Sequence, residues 1–226
     1  MIKSFLKNHS IHKKIVPFFD IFFLFRPSLY FAVWVMILVG MFLARMNNGM
    51  DIVWIDSYSL KTFVVFVGFS FISSSCFILN LFSDKDSDTM NSKNLVFRLK
   101  NISNKRAILA QRILLVLGFS LLLVAKWYLS LIGFLLYVFW GVLYSSEKFH
   151  WKKKIVQGAF SNFIAGFLLI LSGYLLVLST IFSIESFDLN VFFISILPYL
   201  LFFTSISLMT MIPDIKGDIS SSTQTF

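Results

Sequence analysis

The chain has 226 residues, 58% of them hydrophobic and only 14% charged, with a mean hydropathy of +0.82 and a formal charge of +9. Soluble chains carry about 25% charged residues, so this composition excludes a soluble globular protein. Nor is the basic excess a nucleic-acid surface, because it is sorted by membrane side rather than gathered into one patch.

The opening MIKSFLKNHSIHKK is basic but is not followed by a short apolar region with a small-residue cleavage site. Residues 1–26 therefore read as a cytoplasmic tail, with the first span as an uncleaved anchor. Apolar stretches of about 18 or more residues read as membrane-spanning helices. Six are expected, near residues 27–44, 62–82, 107–125, 128–145, 156–180 and 190–213. The third is the least clean, since Gln111 and Arg112 fall in its first turns. The fold class is thus an all-α polytopic membrane bundle, one domain over residues 1–226 with no soluble module.

Of the 20 Lys and Arg residues, only Arg45, Lys61 and Lys126 lie on the side opposite the amino terminus. The positive-inside rule then places the amino terminus and every even-numbered exit in the cytoplasm, with a prokaryotic plasma membrane as the expected location. The longest polar stretch is the cytoplasmic loop 83–106, and loops of that length are often functional. Cys76 lies inside the second span, which leaves no disulfide or thiolate metal site, and His9, His12 and His150 have no metal-ligand spacing. Asn162, inside the fifth span, reads as a partner in an interhelical hydrogen bond.

Two acidic clusters end two of these spans. After the second comes NLFSDKDSD, residues 80–88, and after the sixth comes DIKGD, residues 214–218. Residues four apart in an α-helix stay on one face, separated by ~6 Å along the axis. Asn80, Asp84 and Asp88 would therefore form one polar stripe, and Asp214 and Asp218 a second, while Asp86 points elsewhere. Four carboxylates at one membrane face repel one another and would repel a diphosphate as well. Mg²⁺, a hard cation that takes one or two carboxylates together with substrate phosphate oxygens, resolves both conflicts.

The pattern Asn80-x3-Asp84-x3-Asp88 together with Asp214-x3-Asp218 resembles that of the UbiA superfamily of intramembrane prenyltransferases. FRPSLYF at the first span is similar to the Arg-Pro opening of that family's first helix, which maps Arg26. LYSSEK resembles its Tyr-x3-Lys, which maps Tyr144 and Lys148. The closing IPDIKGDISSSTQTF is locally similar to the homogentisate-prenyltransferase branch.

The resemblance implies transfer of a polyprenyl group from its diphosphate to a lipophilic, usually aromatic, acceptor in the membrane. It implies that Asp84, Asp88, Asp214 and Asp218 ligate Mg²⁺ and that Asn80 hydrogen-bonds near the diphosphate. Lys148 would pair with the leaving group, Tyr144 would lie near the allylic carbon, Arg26 would bind diphosphate or acceptor, and Lys93 and Arg98 would be phosphate partners. It also implies about nine spans where this chain has about six, so a chain truncated at its carboxyl end is expected. The loop after the first motif lacks the family's usual Pro and Gly, and Ser222 stands where the homogentisate-like branch tends to have glycine.

Two other functions fit the same fold: transfer of a phosphoribosyl-type group to a lipid phosphate, or an inactive or non-enzymatic membrane protein. A transporter would place ionisable groups near the bilayer midplane. Here they sit at span ends, which favours the enzyme.

Overall fold

The computed structural model describes residues 18–49, 59–83, 103–146, 148–181 and 187–209. Among them all regular structure is helical, as composition and span length require. Six apolar helices follow one another: α1 (Tyr30–Asn47), α2 (Ser59–Ser83), α3 (Asn104–Ala125), α4 (Trp127–Leu143), α5 (Ile155–Ile181) and α6 (Leu189–Met209). Five are long and apolar enough to cross a membrane, while α4 is shorter. Their cores coincide with the expected spans. The ends differ by up to three residues, apart from the sixth, which is described only as far as Met209.

Local chemistry sets several of those ends. Pro27 opens a 3₁₀ turn, Pro27–Leu29, that leads into α1, where its missing N–H costs nothing. The Ser103 side chain caps α3 by accepting from the Arg106 N–H, and Asp188 caps α6 by accepting from the N–H groups of Asn190 and Val191. Between α3 and α4 one extended residue, Lys126, suffices to reverse the chain.

Packing between the helices depends on small residues, because lipid tails are as apolar as leucine and offer no hydrophobic reason for helices to associate. α1 packs most extensively on α5, and α2 on α3. At the first of these crossings two glycines face opposite backbones. A Cβ on Gly40 would overlap the Ile170 carbonyl oxygen, and one on Gly173 would overlap that of Ile37. The two helices meet backbone to backbone. Gly68 and Gly118 allow a similar approach of α2 and α3, where a Cβ on Gly118 would lie 2.9 Å from the Gly68 oxygen and 2.7 Å from Ile72 Cγ1.

The main core takes residues from all six helices, including Ile37, Phe69, Leu122, Leu136, Leu169 and Phe192. A satellite cluster lies at the end where α2 finishes. There Leu24, from a short helix over residues 18–24, is buried with Ile78 and Leu81 of α2 and with Ala107 and Leu114 of α3. The last part of the stretch read as a tail is therefore docked onto the bundle.

Interhelical hydrogen bonds show which ends are neighbours. Near the end of α1, Asn47 bonds to Tyr174 of α5 at 3.4 Å and to Ser195 of α6 at 3.3 Å. Near the start of α4, Tyr128 donates to Ser179 of α5 at 2.5 Å. At the opposite end Tyr30, which begins α1, shares a 2.5 Å hydrogen bond with Ser74 of α2. Further along α6, Phe203 and Leu200 pack on Gly166 in the first half of α5. Hence α2, α4 and α6 all run toward the end where α1, α3 and α5 begin.

Candidate active site

Asn80 lies on the last turn of α2, half-buried, one turn before Asp84 in sequence. Its side-chain oxygen accepts from Lys152 Nζ at 3.3 Å and, at a longer 3.5 Å, from Ser145 Oγ. Three residues on, Ser83 Oγ lies 3.2 Å from His150 Nε2. The exit of α4 and the turn that follows it are thus tied to the end of α2.

The local backbone explains how that turn reaches back. From Tyr137 to Leu143, α4 widens into a π-helix, and the Tyr144 N–H donates to the Phe139 carbonyl five residues earlier. Such π segments are frequent at functional sites. His150 then adopts a left-handed conformation (φ 45°, ψ 44°), and a 3₁₀ turn follows over Trp151–Lys153. Trp151 packs against Phe139 and Phe160, each 6.3 Å away between ring centroids, and anchors the turn. With its neighbour held there, Lys152 is carried inward and is only 7% exposed.

Arg26 is the other left-handed non-glycine residue described (φ 52°, ψ 54°), a conformation that costs roughly 1–2 kcal/mol for such residues. Its position is pinned from both sides. The Phe25 carbonyl accepts from Ser74 Oγ at 3.2 Å, and the Arg26 carbonyl accepts from the Leu29 N–H at 2.9 Å. Arg26 is half-buried at the end of the bundle that holds Asn80.

A second polar layer lies deeper. Gln111, the untidy residue of the third span, is buried and donates to Ser75 Oγ at 2.8 Å and to the Tyr137 hydroxyl at 3.3 Å. Asn162 accepts from Trp140 Nε1 at 2.8 Å, which is the interhelical bond expected of it. Trp140 also packs edge-on against Phe77, one turn below Asn80 on α2.

The sequence-derived site residues fall into two groups. Asn80, Tyr144, Lys148 and Arg26 are described, whereas Asp84, Asp88, Asp214, Asp218, Lys93 and Arg98 lie outside the described residues. Tyr144 is half-buried just beyond the π segment. Lys148 is exposed, with its ammonium 5.6 Å from the centroid of the neighbouring Phe149 ring. The lysine brought to Asn80 is Lys152, which the family resemblance does not single out. No local signal distinguishes it there from Lys153 and Lys154; the left-handed turn at His150 does.

The sequence profile of the UbiA prenyltransferase family matches residues 33–226. The chain belongs to that family. No curated protein and no solved structure matches it. As a UbiA-family chain it is a multi-pass, all-helical membrane protein, of a family that transfers prenyl groups to lipophilic acceptors. The matched residues include both acidic motifs, Tyr144, Lys148 and Lys152, while Arg26 precedes them.

Proposed function

We propose that the protein transfers a polyprenyl group from a prenyl diphosphate to an aromatic quinone or chromanol precursor, in a Mg²⁺-dependent reaction at the cytoplasmic face. The observation that carries this reading is the position of Asn80, first residue of the NxxxDxxxD motif. It lies beside a buried lysine at the end toward which both α2 and α6 run. Asp84 directly follows the last described residue of α2, and Asp214 comes five residues after the last of α6.

Among the described residues no three His, Cys, Asp or Glu side chains come together; the proposed ligands Asp84, Asp88, Asp214 and Asp218 lie outside them. That all-carboxylate donor set fits Mg²⁺, a hard cation with oxygen ligands. When bound, the metal would neutralise charge developing on the departing diphosphate.

The chain's other residues would orient the donor. Asn80 would donate a hydrogen bond to a diphosphate oxygen, and Lys148, Arg26, Lys93 and Arg98 would add positive charge around the phosphates. Tyr144 would lie against the allylic carbon. The allylic C–O bond breaks with its electron pair leaving on the diphosphate, the acceptor attacks the allylic carbon, and the acceptor then releases a proton.

A transfer assay on membranes tests this, using radiolabelled prenyl diphosphates of several lengths and a panel of aromatic acceptors, with and without Mg²⁺. Asp84→Ala and Asp214→Ala should each lower transfer by about a hundredfold or more, as removal of electrostatic stabilisation at a reacting centre does. Transfer that survives both substitutions, or no transfer from any donor, would remove the reading.

A further inference from the structure

We infer that Lys152 is a positioning residue that locks the Asn80 carboxamide with its oxygen turned into the protein, so that Asn80 offers a ligand only N–H donors. This inference rests on the reading that this end of the bundle takes a diphosphate. It adds a residue to the site and specifies which kind of ligand atom Asn80 selects.

The polarity of Asn80 follows from its partners. A lysine ammonium is a donor with no acceptor capacity, so the Asn80 atom 3.3 Å from Lys152 Nζ must be the oxygen. Carboxamide orientation is ordinarily a choice made from the surrounding network, and here a donor-only neighbour decides it. Ser145 Oγ approaches the same oxygen. Both lone pairs are thereby directed at protein donors, and the amino group makes no hydrogen bond to a described residue. A carboxamide in this state suits an anionic oxygen such as a phosphate's. It does not suit Mg²⁺, which requires an oxygen lone pair.

Burial indicates that the arrangement is built rather than incidental. Lysines are almost never fully buried unless paired, yet Lys152 is 7% exposed while Lys154, two residues on, is exposed. The turn that carries it is held by the Trp151 ring contacts and by the His150 N–H, which donates to the Ser146 carbonyl at 2.9 Å.

A purely structural lysine, pinning the turn to α2, would show the same contacts but different ligand energetics. The test measures calorimetric binding of inorganic diphosphate in saturating Mg²⁺, and of Mg²⁺ alone, to the purified full chain. The variants are Lys152→Met, Lys152→Arg and Asn80→Asp, with Lys154→Met as an exposed-lysine control. Asn80→Asp gives Lys152 a carboxylate partner while deleting the N–H donors.

Diphosphate affinity should fall about tenfold or more in Lys152→Met and Asn80→Asp, the scale of a hydrogen bond to a charged group. It should stay within about threefold of wild type in Lys152→Arg, which retains a cationic donor, and in Lys154→Met.

The inference is overturned if Asn80→Asp keeps wild-type diphosphate affinity, since the Asn80 N–H donors would then contribute nothing to binding. Equal behaviour of Lys152→Met and Lys154→Met overturns it too, as does a wild-type chain that binds no diphosphate. Should Lys152→Met fail to fold, Asn80→Asp and Lys152→Arg still decide. The expected binding pattern without prenyl transfer would leave the inference standing and discard the transferase reading instead.

Discussion

Helices α2 and α6 have the same mean hydropathy, yet 61% of one apolar window is buried within the protein and only 17% of the other. Hydropathy reports transfer into lipid and is indifferent to whether the neighbour is lipid or another helix. What separates the two is small and polar residues with something to meet. On α2, Ser70 accepts from Trp34 Nε1 at 2.8 Å, Ser74 pairs with Tyr30, and Ser75 accepts from Gln111. Gly68 adds a close approach to α3.

α6 carries hydroxyls as well, and Thr204 and Ser205 donate to carbonyls of their own helix, as Ser195 does while also bonding to Asn47 of α1. It contains no glycine. Ser70 and Ser74 of α2 also donate to their own helix, so what marks the interior helix is the additional bond each makes to a neighbour.

Substitutions can break that contrast in order of size. The largest effect is expected at the α1–α5 crossing, where Gly173→Ala puts a methyl group onto the Ile37 carbonyl oxygen with no flexible side chain to yield. At roughly 3 kcal/mol for overpacking, the thermal unfolding midpoint in detergent should drop by about 5–10 °C. An unchanged midpoint would mean that the two backbones are not in contact.

A smaller effect is expected for Asn162→Leu, which removes the acceptor of the Trp140 bond between α4 and α5. Interhelical hydrogen bonds in membranes are worth about 0.6 kcal/mol on average, so the midpoint should fall by about 1–3 °C. Least of all should come from Phe202→Leu on α6, where the ring is 69% exposed. Exchanging one apolar side chain for another at a lipid-facing position should alter stability by under about 0.5 kcal/mol. A larger loss there would show that a partner covers this face.

The site offers the same lesson on a smaller scale. Lys148 and Lys152 are four residues apart, carry the same charge and leave the same helix, and the Tyr-x3-Lys resemblance singles out the first. In the structure the first is exposed beside Phe149 while the second is buried against Asn80. Linear spacing predicts which residues share a face only while the helix continues. Beyond Ser145 the backbone leaves the helix, and the left-handed residue at His150 redirects it.

The sequence by itself determined the solvent, the number of apolar helices and the family, because these depend on composition, on stretch length and on residue identities at fixed spacings. It also marked Asn80 as the start of a motif and Asn162 as an interhelical partner, since a lone polar group in a long apolar run must find a hydrogen bond. Only the tertiary structure decided that α2 and α5 lie inside and α6 outside, and that the Gln111 breaking the third span is satisfied by Ser75 and Tyr137. It also decided which lysine reaches Asn80. Those outcomes depend on which surfaces meet, and in lipid that is settled by backbone approach at glycines and by polar pairing across helices, neither of which appears in a count of apolar residues.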